Sequence, residues 1–284
     1  MSLEGLYEVG KTIQSEQPEE GKRLHEYRMR LEPYIFHHLM ETQWHMVDTF
    51  WQSYVPPKRA KYAFLIIERR DHPNFPFVLR NIAWANPTMS VHIVCSDTNR
   101  DFLHAILGNK VEHYTIVEHF RGSPSAEQAK QEYNALLKDW RLYESIDAEY
   151  AITVQMDTIF RKKIPDSIFV GDYWGSPWAW RQDLPGGGGA TIRNIHSLRS
   201  LCLLYNPTPN TSTDLDAEDG WLSVRVQELG MVYPSLSFRK SHIMESMPAE
   251  DPMILHQFWT FLDQYLSQPK ENVLKYWKHL LTLQ

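Results

Sequence analysis

The sequence predicts an α/β fold in which a mainly parallel sheet is flanked by helices and preceded by a helical extension. Short, nearly continuous apolar runs alternate with segments of helical periodicity, which is typical of strands buried on both faces of a parallel sheet. The 284 residues, 43% of them hydrophobic, are enough for one large domain with a sizeable core. We expect the extension to cover residues 1–58 and the domain residues 59–284.

The N-terminal extension is expected to be mostly one helix. Residues 1–18 are polar and are expected to be loosely held. From about Glu19 to Tyr54, apolar residues recur every three or four positions, which predicts a helix. Pro33 should break or kink it. The pair Pro56-Pro57 then separates the extension from the first strand.

In the domain, apolar runs predict the strands and the three-to-four spacing of apolar residues predicts the helices. Strands are predicted at Tyr62–Ile67, Ser90–Cys95, Thr115–Val117 and Ala151–Gln155. Helices are predicted near Phe75–Ala85, Ser125–Trp140, Asn194–Leu204, Glu218–Leu229, Pro252–Leu266 and Glu271–Leu283. Ser125 and Gln128 form a capping box at the start of the second of these helices.

Acidic residues follow three of the predicted strands. Glu68 follows the first strand, Asp97 the second and Asp157 the fourth. Ligands of open parallel sheets gather at the carboxyl ends of the strands, so these acids are candidates for a binding site if the strands are neighbours. Aspartate is also common in any turn after a strand, and that structural interpretation stays open.

A run of four glycines, Gly186–Gly189, forms a predicted loop. It is not a dinucleotide fingerprint, because it does not follow the first strand, and it is not a P-loop, because no Gly-Lys-Ser/Thr follows. Glycines let the backbone approach a ligand closely. A flexible surface loop is the equally weighted alternative.

Composition limits the partners of the chain. A net charge of −6 gives no indication of nucleic-acid binding. Cys95 and Cys202 lie in apolar runs and are expected to be buried thiols in a reducing compartment. No segment approaches the roughly 20 apolar residues that a bilayer requires. We therefore expect a cytoplasmic protein with no membrane span.

An ordered series of motifs resembles a family of glycosyltransferase-like domains of the GT-A type. The resemblance covers roughly Tyr62 to Trp259. The motifs are IIERR (66–70), Tyr133-Asn134, VQMDT (154–158), DYWGSPW (172–178), GGGGATIR (186–193), AED (217–219) and HQFW (256–259). The order of the set is far more specific than any single member. It implies a GT-A-like, Rossmann-type sheet.

The resemblance implies transfer of a sugar from a nucleotide-diphosphate sugar to a hydroxyl of a carbohydrate or protein-glycan acceptor. Glu218 or Asp219 would be the base that takes the proton of that hydroxyl. The residues expected to bind the donor are Glu68, Arg69, Asp97, Asn134, Gln155, Gly188, Gly189 and Arg193.

A divalent metal, Mn²⁺ or Mg²⁺, is implied as a partner of the donor diphosphate. Asp157 would be one ligand and His256 a second. Gln155 stands where such enzymes usually carry the first acid of their metal motif, which puts metal dependence in question. Two other functions stay open. One is a catalytically inactive carbohydrate- or nucleotide-binding relative. The other is a different enzyme on a similar sheet, a methyltransferase or a phosphate-ester hydrolase.

Overall fold

The computed structural model describes residues 1–206 and 217–284, which form a mixed α/β structure. The α-helices are α1 Leu3–Glu16, α2 Glu20–Ser53, α3 Phe75–Ala85, α4 Arg100–Leu107, α5 Ala126–Leu137, α6 Trp140–Glu144, α7 Ile195–Tyr205, α8 Glu218–Glu228, α9 Leu236–His242, α10 Asp263–Leu266 and α11 Lys270–Leu280. The strands are β1 Tyr62–Ile67, β2 Ser90–Ser96, β3 Thr115–Phe120, β4 Tyr150–Val154, β5 Thr158–Phe160, β6 Tyr173–Ser176, β7 Gly187–Asn194, β8 Ile243–Met244 and β9 Ile254–His256.

The central sheet has six strands in the order β3-β2-β1-β4-β7-β6. The first four strands in this order run parallel, and β7 is antiparallel to both of its neighbours. A small second sheet, β5-β9-β8, lies beside it. The predicted fold class, a mainly parallel sheet flanked by helices, is confirmed. Because β2, β1 and β4 are parallel neighbours, the acids that follow them share one edge of the sheet.

Both faces of the sheet are covered, which explains why its strands are apolar throughout. Phe64 and Ile66 of β1 belong to a core cluster that includes residues of α2, α3 and α11. Leu65 and Ile67 point to the other face, into a cluster formed with α5, α7 and α8. Burying such a side chain contributes roughly 1.5–3 kcal/mol, so the strands hold two helical layers against one sheet.

The first sixteen residues are not loosely held, contrary to the sequence prediction. They form α1, whose start is capped by the Ser2 hydroxyl, which accepts a hydrogen bond from the Gly5 amide. Leu6 and Ile13 are buried in the core. Gly10 lets the helix approach Leu262, whose Cδ1 lies 3.2 Å from where a Cβ would be. The polar residues that suggested a loose segment belong to its exposed face.

Helix α2 continues through Pro33 as one helix of 34 residues, so the predicted break does not occur. Proline removes one backbone donor, and the buried side chains on either side, Leu31 and Ile35, hold the helix on the domain. Asp263 of α10 accepts hydrogen bonds from Arg23 Nε and from the Tyr27 hydroxyl. The extension and the domain therefore share one core.

Two segments differ from the elements that were predicted for them. The glycine run is not a loop, because its last three members begin β7, which pairs with β4 on one side and β6 on the other. The helix predicted at Pro252–Leu266 is replaced by β9, a 3₁₀ turn at Phe258–Phe261 and the short α10. Pairing of β9 with β5 places His256 opposite Thr158, close to Asp157.

The other predicted elements of the domain are present with boundaries within a few residues of the prediction, and the capping box of Ser125 and Gln128 is formed. Across residues 1–206 and 217–284, no helix combines the length and the apolar character needed to cross a membrane.

Candidate functional site

Asp157 lies at the carboxyl edge of the central sheet, between β4 and β5, and its side chain is 8% exposed. Its Oδ1 is 3.2 Å from Nε2 of His256. Its Oδ2 accepts a hydrogen bond of 2.6 Å from the side-chain amide of Gln257. The guanidinium of Arg28, from helix α2, lies 3.6 Å from the same oxygen. Asp157 is thus surrounded by donors and positive charge.

His256 stands between two carboxylates. Its Nδ1 is 3.4 Å from Oε1 of Glu245 and 3.0 Å from the backbone nitrogen of Gly189. Burial by itself would lower the pKa of His256, but the charges of Asp157 and Glu245 outweigh it and raise the pKa to about 10. Burial would raise the pKa of Asp157, but the ion pair with His256 lowers it to about 2.

Each ring nitrogen of His256 has both an amide and a carboxylate beside it. The Gly189 amide lies 3.0 Å from Nδ1, and the side-chain nitrogen of Gln257 lies 2.9 Å from Nε2. The carboxylates are Glu245, 3.4 Å from Nδ1, and Asp157, 3.2 Å from Nε2. In the protonated ring both nitrogens carry a proton, and each faces one of these carboxylates.

The glycines of β7 allow other elements to approach its backbone closely. A Cβ at Gly189 would lie 2.4 Å from Nε2 of His256, and one at Gly188 would lie 2.3 Å from Oε2 of Glu245. At Gly187 it would lie 2.6 Å from Oδ2 of Asp219. Gly188 also has φ +93°, a left-handed conformation that glycine adopts most readily. Side chains at these positions would separate the carboxylates and the histidine that now meet there.

Asp219 and Glu218, at the start of α8, have different surroundings. Oδ2 of Asp219 accepts a hydrogen bond of 3.2 Å from the Gly188 amide, and the residue is partly exposed. Glu218 is buried, and its Oε1 accepts a hydrogen bond of 2.7 Å from Arg193. Burial raises the pKa of Glu218 to about 7, with Arg193 opposing the rise and Asp219 adding to it. Of the two acids, Asp219 is the one beside the glycine strand.

Arg193 lies wholly within the core and not at the glycine edge. Its guanidinium donates to the Tyr143 hydroxyl at 2.8 Å, to the Thr191 hydroxyl at 2.8 Å and to Glu218. Each of these partners is protein, so in this structure Arg193 orients Glu218. The predicted contact of Arg193 with a donor sugar or diphosphate stays a prediction.

Two predicted residues at the end of β1 are held by neighbours in the chain or on α5. Glu68 is buried and accepts hydrogen bonds from the amides of Arg69 and Arg70, and from the Arg70 guanidinium through both oxygens. Arg69 forms an ion pair with Glu132. Glu68 therefore shapes the turn that follows β1.

The remaining predicted donor residues each make a hydrogen bond within the protein. Asp97 is exposed and accepts a hydrogen bond from the Gly122 amide at 2.9 Å. Asn134 accepts one from the Glu218 amide at 3.2 Å, at the beginning of α8. Gln155 donates a hydrogen bond of 3.0 Å to the hydroxyl of Tyr133, which belongs to the Tyr133-Asn134 motif.

The structure thus brings together Asp157, His256, Gly188, Gly189 and Asp219, while Asp97 is held apart in a surface turn. Three contributors were not found from the sequence: Arg28, Glu245 and Gln257. Gln257 adjoins His256 and has φ +45°, uncommon for a residue other than glycine. Arg28 and Glu245 carry no local signal, because only the packing of α2 and β8 brings them to this edge.

The described residues around Asp157 do not fit a divalent metal ion. Within residues 1–206 and 217–284 there is no group of three or more His, Cys, Asp or Glu arranged to hold one. Asp157 and Glu245 lie at opposite ring nitrogens of His256, so the three side chains do not converge on one point. Oδ2 of Asp157 has an amide donor and a guanidinium beside it, whereas Oδ1 of Asp157 and Oε2 of Glu245 are buried without a hydrogen-bond partner among the described residues.

No protein-family model and no curated protein matches this chain. Among solved structures, apo mouse xyloside xylosyltransferase 1 is similar, with 11% identity and a TM-score of 0.45, over 69% of this chain and 97% of that one. Apo GlyE, a glycosyltransferase of Streptococcus pneumoniae TIGR4, has 11% identity and a TM-score of 0.45, over 78% of this chain and 63% of that one. The mannosyltransferase PcManGT of Pyrobaculum calidifontis, in complex with GDP-Man and Mn²⁺, has 12% identity and a TM-score of 0.44, over 91% of this chain and 81% of that one. At these levels of similarity, we transfer neither an activity nor a residue role to this chain.

Proposed function

We propose that this chain transfers a sugar from a nucleotide-diphosphate sugar to a hydroxyl of a carbohydrate acceptor. The observation that supports the proposal best is the meeting of Asp219 with the Asp157–His256 pair around the glycine strand β7, at the carboxyl edge of a parallel sheet. Such edges are where open α/β sheets bind their ligands. The order of the glycosyltransferase-like motifs along the chain supports the same function.

Asp219 is the base in this proposal. The acceptor oxygen attacks the anomeric carbon of the donor, the bond from that carbon to the diphosphate oxygen breaks, and the hydroxyl proton passes to the Asp219 carboxylate. The electron pair of the broken bond leaves with the nucleoside diphosphate. Asp219 is partly exposed beside Gly188, whereas Glu218 is committed to Arg193 in the core. Glu218 therefore acts as a positioning residue for the start of α8.

Binding of the donor is the first test of this function. Saturation at about 100 times Kd should stabilise the folded protein by about 2.7 kcal/mol, which corresponds to a rise in Tm of about 5–10 °C for a domain of this size. The measurement is a thermal shift with UDP-, GDP- and dTDP-sugars, with and without Mn²⁺. The absence of any shift with every nucleotide sugar would contradict the proposal.

The acceptor is proposed to be a carbohydrate because an aromatic platform lies beside Asp219. The platform consists of Trp178, Trp180 and Phe261. Trp178 contacts Gly187, and the rings of Trp178 and Trp180 lie 7° from parallel with centroids 6.3 Å apart. Trp180 is 63% exposed, so the face of a sugar ring can reach it. Large exposed aromatic side chains next to a site often provide its main binding contact.

Trp180→Ala is expected to weaken acceptor binding about tenfold, the equivalent of about 1.4 kcal/mol, because it removes the exposed ring. The affinity for the nucleotide should stay unchanged. The measurement is a titration with the oligosaccharide that a glycan panel shows to bind most tightly. Val232→Ala, which truncates another exposed apolar side chain, is the matched control. Equal glycan affinity in both variants would remove the platform from the acceptor site.

A binding protein without catalysis is the second candidate, and Gln155 in place of an acid favours it. The two candidates differ in one product. An active transferase moves the sugar to the acceptor, or slowly to water, and releases the nucleoside diphosphate, whereas an inactive relative leaves the donor unchanged. Mass spectrometry of the nucleotide after prolonged incubation distinguishes them.

A further inference from the structure

Helix α2 of the N-terminal extension reaches the candidate site. Arg28 and Glu32 lie one turn apart on it, and Arg28 faces Asp157. Glu32 accepts a hydrogen bond of 2.9 Å from the side-chain amide of Asn74, which also donates to the Met156 carbonyl at 3.2 Å. These bonds fix this turn of α2 against the segment that carries Asp157.

The guanidinium of Arg28 faces Asp157 and has N–H donors that do not bind it. The Asp157 side chain is 8% exposed, whereas that of Arg28 is 51% exposed. Their separation of 3.6 Å is an ion-pair distance and too long for a hydrogen bond. A guanidinium carries five N–H donors in a planar fork that matches the oxygens of a phosphate. Arg28 is therefore held by charge at the site while its donors remain able to bind an anion.

Arg70 is a second cation near the same place. Its guanidinium is held through two hydrogen bonds to Glu68, and 67% of its side chain is exposed. The hydrogen bonds to Glu68 raise the pKa of Arg70. The turn that carries Arg70 continues to Asn74, whose side-chain amide donates to Glu32 of α2 and to the Met156 carbonyl next to Asp157. Arg28 thus faces Asp157 directly, and Arg70 lies on the turn after β1 at the same edge of the sheet.

We propose that Arg28, supplied by the N-terminal helix, binds the diphosphate of the nucleotide-sugar donor together with Arg70, in the role that a divalent metal would otherwise take. This inference rests on the proposed function. As the bond to the diphosphate breaks, negative charge develops on the leaving oxygen, and a guanidinium already in place stabilises it. Arg28 takes no part in the proton transfer, since the proton of the acceptor goes to Asp219. The extension is then part of the active site.

Arg28→Gln tests this assignment, with Arg30→Gln as the matched control. Arg30 lies on the same helix and pairs with Glu16, away from Asp157. The probes are UDP, GDP and dTDP and their unphosphorylated nucleosides, titrated by calorimetry in EDTA. Loss of a charge-assisted contact of about 1.5–3 kcal/mol predicts a diphosphate affinity about 10- to 150-fold lower for Arg28→Gln. Nucleoside affinity should be unchanged, and Arg30→Gln should bind the diphosphate as the wild type does.

Arg28→Lys keeps the positive charge but loses the planar guanidinium, so its diphosphate affinity should lie between those of the wild type and Arg28→Gln. An intermediate affinity would show that the loss in Arg28→Gln comes from the side chain's charge and not from misfolding. Two results would overturn the inference alone: wild-type diphosphate affinity in Arg28→Gln, or wild-type binding that EDTA abolishes and Mn²⁺ restores. A wild-type protein that binds no nucleotide at all would overturn the proposed function, and this inference with it.

Discussion

Asp219→Asn is expected to lower kcat by about 10²- to 10⁴-fold, the range that a positioned general base contributes. The amide of asparagine cannot take the acceptor's proton. Its oxygen can still accept the hydrogen bond of the Gly188 amide, so the strand and the start of α8 should stay in place. Donor affinity should change little. The measurement is the rate of nucleoside-diphosphate release in the presence of an acceptor.

Two other variants make the result specific. Glu228→Gln removes an exposed acid at the far end of the same helix and should leave kcat unchanged. Glu218→Gln keeps a hydrogen-bond acceptor for Arg193, and it should affect stability more than catalysis. If Glu218→Gln lost turnover while Asp219→Asn retained it, the base would be Glu218 and the assignment of roles would be reversed.

The predictable part of the fold is the part that burial determines. The run Tyr62–Ile67 is apolar at every position because β1 has a helical layer on both faces, and the strand begins and ends where the sequence predicts. The capping box at Ser125 was equally readable, since its hydrogen bonds join residues three apart. Signals of this kind depend only on neighbouring residues or on the burial of a whole element.

The glycine run is a place where such local signals do not predict the structure. Glycine has low strand propensity, and the run predicts a loop. It becomes a strand because β4 and β6 lie on either side of it, and because Glu245, His256 and Asp219 occupy the space that its side chains would fill. The segment around His256 likewise becomes a strand, because it pairs with β5 and β8. Tertiary contacts override local preference at these places, which are also those of the candidate site.

The post-strand acids show the same limit within the site. Glu68, Asp97 and Asp157 are equivalent in sequence, since each follows a buried strand. In the structure Glu68 is satisfied by Arg70, and Asp97 caps a surface turn. Asp157 alone of these three meets both the histidine of β9 and the arginine of α2. The order of strands along the chain predicts that the three acids lie at one edge of the sheet, but it does not predict which of them contacts residues of other elements.

Arg193→Met is expected to lower the free energy of unfolding by about 3–5 kcal/mol near pH 8, because it leaves the carboxylate of Glu218 buried without its partner. Oε2 of Glu218 already has no hydrogen-bond partner among the described residues. Urea unfolding of the two proteins measures the loss. Arg199→Met is the control. Arg199 pairs with Glu144 at the surface, where such a pair is worth about 0–1 kcal/mol.

The pH dependence of the stability loss in Arg193→Met tests whether the buried carboxylate of Glu218 causes it. Folding raises its pKa from 4.5 to about 7, so the stability it contributes is full below pH 4.5 and is lost as the pH rises through about 7. Arg193 opposes this rise, and its removal raises the pKa of Glu218 further. At about pH 5 the variant holds Glu218 neutral, so its deficit should be smaller than at about pH 8. Adding Glu218→Gln to Arg193→Met should recover much of the loss at the higher pH, since no charge is then buried. An equal deficit at both pH values would mean that the cost comes from the bonds of Arg193 to Tyr143 and Thr191.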